Sequence, residues 1–444
     1  MKEKKVDFLI RYEHKVRELE SIMLLKIELE RRGYTVDFVG NYDYKCNTIY
    51  KPKVMVAPSL YATEQIARDL VEYGILKKVA NLLWEQLTGT EEENDPNGSH
   101  NVTGISARAV SFCWGEKSRE RIIKAGVPSE RAILAGHINT DLLRGKFRRG
   151  LVSKKEIGKK YDLDPNKRWN LFISSFLCCE MDEFQHSNLN NCWGIDGTAY
   201  FTELCNKSRK EIFAWFRTAL TNYPDDIIIY RPHPDEIGKS QELWDMAKDY
   251  SNFRIISEDA IKHWIYASDK VYNWYSTSQL DAYVLEKPIR LIRPYKIHED
   301  LDYYIFINSQ QLTTEADFLA DYENLEVIDI IDQSLLSSYY YLPENYVYQR
   351  ICDVLEEMYH SNKYDMHYTF AERVKYTYKH WRMRILYPLR GLKTYLAHIP
   401  GFKGKIQSQR EFLDILKAGY EKNVATIQDI EDIYNRVKPI VYGE

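Results

Sequence analysis

Ile227-Ile228-Ile229-Tyr230-Arg231-Pro232-His233-Pro234-Asp235-Glu236 sets a β-branched triplet directly before two prolines that flank a histidine. The triplet favours a buried strand, and the prolines end it, because each lacks a ladder donor and has a fixed φ. Arg231 and His233 are thereby displayed at the carboxyl end of the strand, the edge where open α/β sheets bind ligands. Taken alone, the same residues would equally make a stiff, solvated turn.

Around this stretch, strand and helix signals alternate. Strands are predicted over 169–174, 226–230, 253–256, 270–274 and 289–292, and helices over 204–222, 240–250, 259–267 and 277–285. Residues 1–150 repeat the pattern, with strands over 6–10, 35–39, 53–57, 79–84, 109–113 and 132–134 and helices over 18–32, 63–73 and 116–125. Gly33 stands where a helix C-cap belongs. Such βαβ repetition implies two parallel sheets, each covered on both faces. The polar stretch 89–104 reads as a loop and the basic stretch 144–168 as a linker. A chain of 444 residues exceeds one ordinary core. The expected domains are 1–145 and 165–345, both Rossmann-like, with a helical extension over 346–444. Neither half contains G-x-G-x-x-G, which disfavours a dinucleotide fold.

A second constellation is Tyr275-Ser276-Thr277-Ser278-Gln279-Leu280-Asp281-Ala282-Tyr283-Val284-Leu285-Glu286-Lys287-Pro288. Three hydroxyls between a strand and a helix offer side-chain and backbone donors, a ready place for a phosphate. The turn lies one βαβα step beyond the His-Pro loop and on the same sheet edge. Together the two predict a nucleotide phosphate site.

The His-Pro loop resembles the nucleotide-binding motif of bacterial GT-B glycosyltransferases that use cytidine-activated donors. These include Kdo and sialic acid transferases and, more loosely, teichoic acid polymerases. The hydroxyl turn is similar to the Ser/Thr-rich turn and following "EA…GKP" helix of nucleotide-sugar transferases, with Asp281 where an acidic ribose ligand is usual and Glu286 where glycine is usual. Two further segments resemble surface carbohydrate biosynthesis proteins, in which an E-x-K-x-R-E turn and a G-N-P-R-x-D-L-L segment recur. They are Glu13-His14-Lys15-Val16-Arg17-Glu18 and Gly136-His137-Ile138-Asn139-Thr140-Asp141-Leu142-Leu143. In the second, His137 and Ile138 replace the usual asparagine and proline.

The resemblance implies a GT-B plan, two Rossmann-like domains with a cleft between their carboxyl edges, the first for acceptor and the second for donor. It further implies a metal-independent Leloir glycosyltransferase that needs no cofactor and moves Kdo or a related ulosonic acid from CMP to a capsule, lipopolysaccharide or other surface glycan. Donor contacts would fall to Arg231, His233, Pro234, Glu236, Ser276, Thr277, Ser278, Asp281 and Lys287. Hydroxyls, cations and a helix N-terminus would offset the charge of the leaving phosphate, so no metal site is expected. An inverting enzyme needs a carboxylate base, and a retaining double displacement a carboxylate nucleophile. Glu13, Glu85, Glu180 and Asp182 are the candidates, Asp182 because retaining Kdo transferases are similar in placing a nucleophilic aspartate there. Residues 178–205 lack periodicity and are expected to form a lid loop, with His186 and Trp193 meeting sugar, and Arg17 is assigned to the acceptor. The rival readings are a teichoic-acid-type polyol-phosphate transferase and a non-catalytic nucleotide-sugar-binding protein.

Composition narrows the setting. A net charge of −4 argues against a nucleic-acid coat, and 7 scattered cysteines without C-x-x-C suit a reducing cytosol. The chain opens without a signal-peptide pattern and has no 18-residue apolar run, which predicts a cytoplasmic protein, soluble or peripheral. Residues 373–410 carry ten lysines and arginines and no acid, interleaved with aromatic and aliphatic residues. That composition suits an anionic membrane surface at the inner face of the cell membrane, or else a packed helical hairpin with its basic face in water.

Overall fold

In the computed structural model, residues 3–43, 49–95, 98–181, 183–233, 236, 240–306, 309–325, 333–397, 420 and 423–443 are described. The chain divides into two units: residues 1–86, 94–141 and 337–444 form the first, and 87–93 and 142–336 the second.

The first unit holds a parallel sheet of β1 (Lys4–Tyr12), β2 (Val36–Gly40), β3 (Tyr50–Ala57), β4 (Val79–Asn81), β5 (Val110–Cys113) and β6 (Ala132–Leu134), ordered β2-β1-β3-β4-β5-β6. The second holds β7 (Trp169–Ile173), β8 (Ile227–Arg231), β9 (Phe253–Ile255), β10 (Lys270–Asn273), β11 (Ile289–Ile292) and β12 (Gln311–Leu312), ordered β12-β11-β10-β7-β8-β9 and again parallel. These two helix-covered sheets are the α/β, GT-B-like plan that the alternating pattern predicts.

Strand period explains why β8 is apolar on both faces. Ile228 and Tyr230 enter one core with Phe172, Tyr272 and the Glu183–Asn222 helix residues Phe213 and Phe216. Ile227 and Ile229 enter the opposite core with Leu171, Val271 and Trp264. A strand sandwiched this way needs no polar face, which is why the isoleucine run was so legible.

Strand order also fixes where ligands can enter. In the first unit the chain steps from β1 to β2, then returns to lay β3 on the other side of β1. In the second, β7, β8 and β9 proceed one way and β10 begins the other. The switch points therefore lie between β1 and β3 and between β7 and β10, where diverging loops open a crevice at the carboxyl edge.

Several sequence expectations are corrected. The predicted lid loop over 178–205 is mostly helix, since one helix runs over Glu183–Asn222. Its residues Phe201, Leu204 and Cys205 are buried in the same core as Phe213, so tertiary packing overrides weak local periodicity. The linker over 144–168 contains a helix, Lys154–Tyr161, begun by a reciprocal Ser153–Glu156 capping box. The expected separate extension over 346–444 belongs to the first unit, and the unit boundaries fall at 141/142 and 336/337. The reason is the buried face of the Val347–His360 helix, Ile351, Cys352, Leu355 and Met358, which needs a core to cover it. Asp141 fixes its start by accepting the Val347 and Tyr348 N–H groups at 2.9 and 2.7 Å. The helix Phe370–Ala397 runs through Pro388 and Gly391, since a proline removes one ladder bond and can kink a helix without ending it. No helix among the described residues is long and apolar enough to cross a membrane.

Candidate functional site

The carboxyl edge of the second sheet is organised by a buried carboxylate. Glu236 is 2% exposed and accepts hydrogen bonds from Ser174 Oγ at 2.5 Å, from the Tyr230 hydroxyl and from the His233 N–H at 3.2 Å. Its own N–H returns to the His233 carbonyl at 2.9 Å. Burial pushes the Glu236 carboxyl above its ordinary value, against those hydrogen bonds. The result is a loop whose shape is set from below, with His233 half-exposed on top. Arg231 is used differently. Its guanidinium is buried and donates to the carbonyls of Glu258 and of Asp259, the latter at 2.7 Å, while lying over the Trp264 ring. Burial pulls its pKa down to about 10. It holds the loop after β9, so of the pair Arg231–His233 only the histidine faces outward.

Two strand positions away, β10 ends in the hydroxyl turn. Asn273 brackets Ser276 with its side chain, accepting the Ser276 N–H and donating to the Ser276 carbonyl, both at 2.6 Å. Ser276 Oγ in turn accepts the Ser278 N–H at 3.3 Å, and the helix Gln279–Val284 follows. Ser276, Thr277 and Ser278 are all partly exposed. The turn and the Ser174–Ser175 end of β7 flank the β7/β10 switch point. With parallel strands about 4.8 Å apart, His233 and the turn stand on strands roughly 10 Å apart, the span of a phosphate and its nucleoside.

Asp281 and Lys287 fall elsewhere. Asp281 is buried on the following helix, where burial, opposed by Lys262, pushes its carboxyl up to about 6. Lys287 precedes β11, and its Nζ donates to the Ser268 carbonyl at 3.0 Å, beside the start of β10. A helix that joins two parallel strands must carry the chain back across the sheet, so Lys287 is at the amino edge. The placement corrects its assignment to the donor site. Arg293, just past β11 at the carboxyl edge, carries no sequence signal that singles it out. It is buried, pairs with Asp302 at 3.1 and 3.2 Å, and lies near the Tyr275 and Phe306 rings.

In the first unit, the recurring Glu13–Glu18 turn owes its shape to its last residue. Glu18 is fully buried and accepts the Glu13 N–H at 2.8 Å, the His14 N–H at 3.3 Å and the Arg17 guanidinium at 2.9 Å. Burial nonetheless raises its pKa. Arg17 also donates to Glu85 Oε1 at 2.9 Å, and Glu85 Oε2 lies 3.8 Å from His100 Nε2. Burial pushes up on the Glu85 carboxyl, yet Arg17 and His100 together hold it below the usual carboxylate range. Tyr61, in the loop after β3, donates to the Glu85 carbonyl at 3.1 Å and meets the His100 ring edge-on. The β1/β3 switch point thus gathers Glu13, Arg17, Tyr61, Glu85 and His100. Among the described residues, the half-exposed Glu13 carboxylate has no hydrogen bond or ion pair. Nearby at the ends of β5 and β6, His137 stacks on Trp114 at 3.8 Å and meets Trp84 edge-on.

The structure separates three of the four catalytic candidates. Glu13 carries an uncommitted carboxylate, whereas that of Glu85 is paired and that of Glu180 binds Arg209 at 2.6 Å. Asp182 and Pro234 lie outside the described residues, as do the side chains of His186 and Trp193. Tyr61 and Ser174 could have been found by asking which loops follow the first and third strands of a doubly wound half. His100 could not, because nothing in the 89–104 stretch ties it to Glu85. Among the described residues no cluster of three or more His, Cys, Asp or Glu is arranged to hold a metal ion.

No protein-family model matches the chain, and no curated protein matches it. Solved structures do. The UDP-GlcNAc 2-epimerase of Methanocaldococcus jannaschii, crystallised with UDP-GlcNAc and UDP, is 13% identical with a TM-score of 0.51, covering 80% of this chain and 99% of its own. The wall teichoic acid polymerase TagF is 12% identical with a TM-score of 0.51, covering 80% of this chain and 90% of its own. At such identities the likeness is one of fold.

Proposed function

We propose that the protein is a GT-B glycosyltransferase that moves a sugar from a cytidine nucleotide to a surface-glycan acceptor, with Kdo or a related ulosonic acid as the sugar. One observation carries the proposal: His233, on its Glu236-braced loop, and the Ser276–Ser278 turn share the carboxyl edge at the β7/β10 switch point. In this reading His233 and the exposed hydroxyls take the donor phosphate and the nucleoside, offsetting leaving-group charge without a metal or other cofactor. The sequence around the His-Pro loop supports cytidine as the base.

The first unit supplies the acceptor side. Glu13 is the general base of an inverting transfer, because among the described residues its carboxylate is neither neutralised nor tied down, whereas Glu85 is held ionised by Arg17 and His100. Arg17, His100 and Tyr61 position acceptor hydroxyls. We place the enzyme in the cytoplasm at the inner face of the cell membrane, where a lipid-linked glycan is presented.

Phosphorus NMR of donor turnover tests the proposal. CMP released with sugar transferred is the expected product pair. CMP released with phosphate transferred would instead make the protein a teichoic-acid-type polyol-phosphate transferase, and tight binding without turnover of any donor would make it a nucleotide-sugar-binding protein.

A further inference from the structure

The helix Phe370–Ala397 packs on the helix Thr63–Tyr73 through one side only. Tyr376 is 1% exposed, the His380 ring donates from Nδ1 to the Val71 carbonyl at 2.9 Å, and Glu372 pairs with Arg108 at 2.8 Å. The opposite side carries Phe370, Val374, Tyr378, Trp381 and Ile385, which are 84%, 53%, 65%, 58% and 67% exposed. At 100° per residue these five positions fall within an arc of about 80°, centred opposite Tyr376, and span about 22 Å along the axis. A continuous apolar stripe of this kind on an otherwise folded unit marks an interaction surface.

Its borders say what it meets. Arg373 and Arg384 flank one side of the stripe, and Lys375, Lys379 and Arg382 the other, with no acidic residue from Arg373 to Leu386. Arg384 pairs with Glu3 at 2.8 Å, whereas Arg373, Lys379 and Arg382 have no ion pair among the described residues. Large apolar side chains between two rows of cations, of which Arg373, Lys379 and Arg382 have no ion pair among the described residues, match the boundary between lipid headgroups and acyl chains. A second copy of the chain fits poorly, because a two-fold pairing of this face would set the cationic rows against each other. A polyanion in water would use the cations but leave the five apolar residues wet.

We propose that this face is a docking surface for an anionic lipid bilayer, with the stripe inserted among the headgroups and the two cationic rows resting on phosphate. The proposal stands on the geometry of the helix and is independent of the nucleotide reading.

Flotation of the full-length protein with phosphatidylcholine vesicles, with and without phosphatidylglycerol, tests it. The protein should float with the anionic vesicles and bind them at least about tenfold more tightly than neutral ones. Phe370→Ser/Trp381→Ser/Ile385→Ser should abolish flotation. Lys375→Glu/Lys379→Glu/Arg382→Glu should remove the preference for anionic lipid. Both variants alter exposed residues and should melt at the wild-type temperature, and nucleotide binding should be unchanged in both. Three outcomes would overturn the proposal: no flotation of the wild type, wild-type flotation by the serine variant, or a wild-type dimer that the serine substitutions convert to monomer.

Discussion

Replacing Glu236 with alanine removes the acceptor that joins the ends of β7 and β8 to the His233 loop. Three donors now meet its carboxylate, and hydrogen bonds to a charged group contribute about 1.5–3 kcal/mol each. The net loss is smaller for two reasons that the geometry supplies. The Tyr230 hydroxyl keeps a second acceptor, Ser174 Oγ, at 2.8 Å, and deletion also relieves the burial that raises the Glu236 pKa. What remains is the buried Ser174 hydroxyl proton left without an acceptor and a His233 N–H left to water, about 2–3 kcal/mol in all. Urea unfolding, with the transitions of the two units fitted separately, measures this as a fall in midpoint at constant slope. Cytidine nucleotide affinity should fall in the same variant by about tenfold, roughly 1.4 kcal/mol, because His233 loses its backbone anchor. His233→Ala should weaken binding similarly while leaving stability within about 0.5 kcal/mol, since its ring is half-exposed. If Glu236→Ala lost stability but bound nucleotide as the wild type does, the loop would not depend on this carboxylate for its shape, and the reasoning would be refuted.

Other outcomes follow from the same structure. Glu13→Gln should lower the turnover number by about 10²–10⁴-fold with nucleotide affinity unchanged, measured by donor consumption with acceptor present, whereas Glu85→Gln should cost less. Asp281 has a folded pKa raised to about 6 from 3.8, so the stability it contributes is complete below its unfolded value and is lost as pH rises through about 6. Asp281→Asn should therefore flatten the melting profile between those values and raise stability at neutral pH by about 3 kcal/mol. Gly136 has φ +98°, and a Cβ there would clash with the Tyr341 carbonyl oxygen. Gly136→Ala should destabilise the first unit by roughly 2–4 kcal/mol in the same urea assay.

The strands were the most legible part of the chain. Ile227–Ile229 and Val110–Cys113 read directly because burial on both faces leaves no polar alternation to misinterpret. The helix Thr63–Tyr73 was predicted to the residue, its apolar face recurring at helical spacing. By contrast, the first half of the Glu183–Asn222 helix is hidden in the sequence because its signal is tertiary, the burial of Phe201 and Leu204 in the core that also holds Trp274 and Phe172. The C-terminal hundred residues read as an appendage for a similar reason. Asp141, quoted as part of a recurring motif, shows its purpose only when the Val347–His360 helix arrives to be capped.

Within the candidate site, residue types were easier to read than residue roles. His233 and the hydroxyl turn were found as strand-end residues, and strand order puts them on one edge. Arg231 and Glu236 carried the same sequence signal, yet one braces the loop after β9 and the other braces the His233 loop. Sequence proximity cannot distinguish a residue that faces a ligand from one that holds its neighbour in place. Lys287 belongs to the motif but not to the site, because its position before a strand puts it on the far edge.

The central claim, a cytidine nucleotide site built on His233 and the Ser276–Ser278 turn, is tested most directly by thermal melting with CMP, CDP, UDP, GDP and ADP. A ligand bound only by the folded state stabilises it by about 2.7 kcal/mol at a hundred times its dissociation constant. The account predicts that CMP and CDP raise the melting temperature above the other three and that His233→Ala cuts the shift to about half at that concentration. Preferential stabilisation by UDP or GDP, or a cytidine shift that survives His233→Ala undiminished, would contradict it.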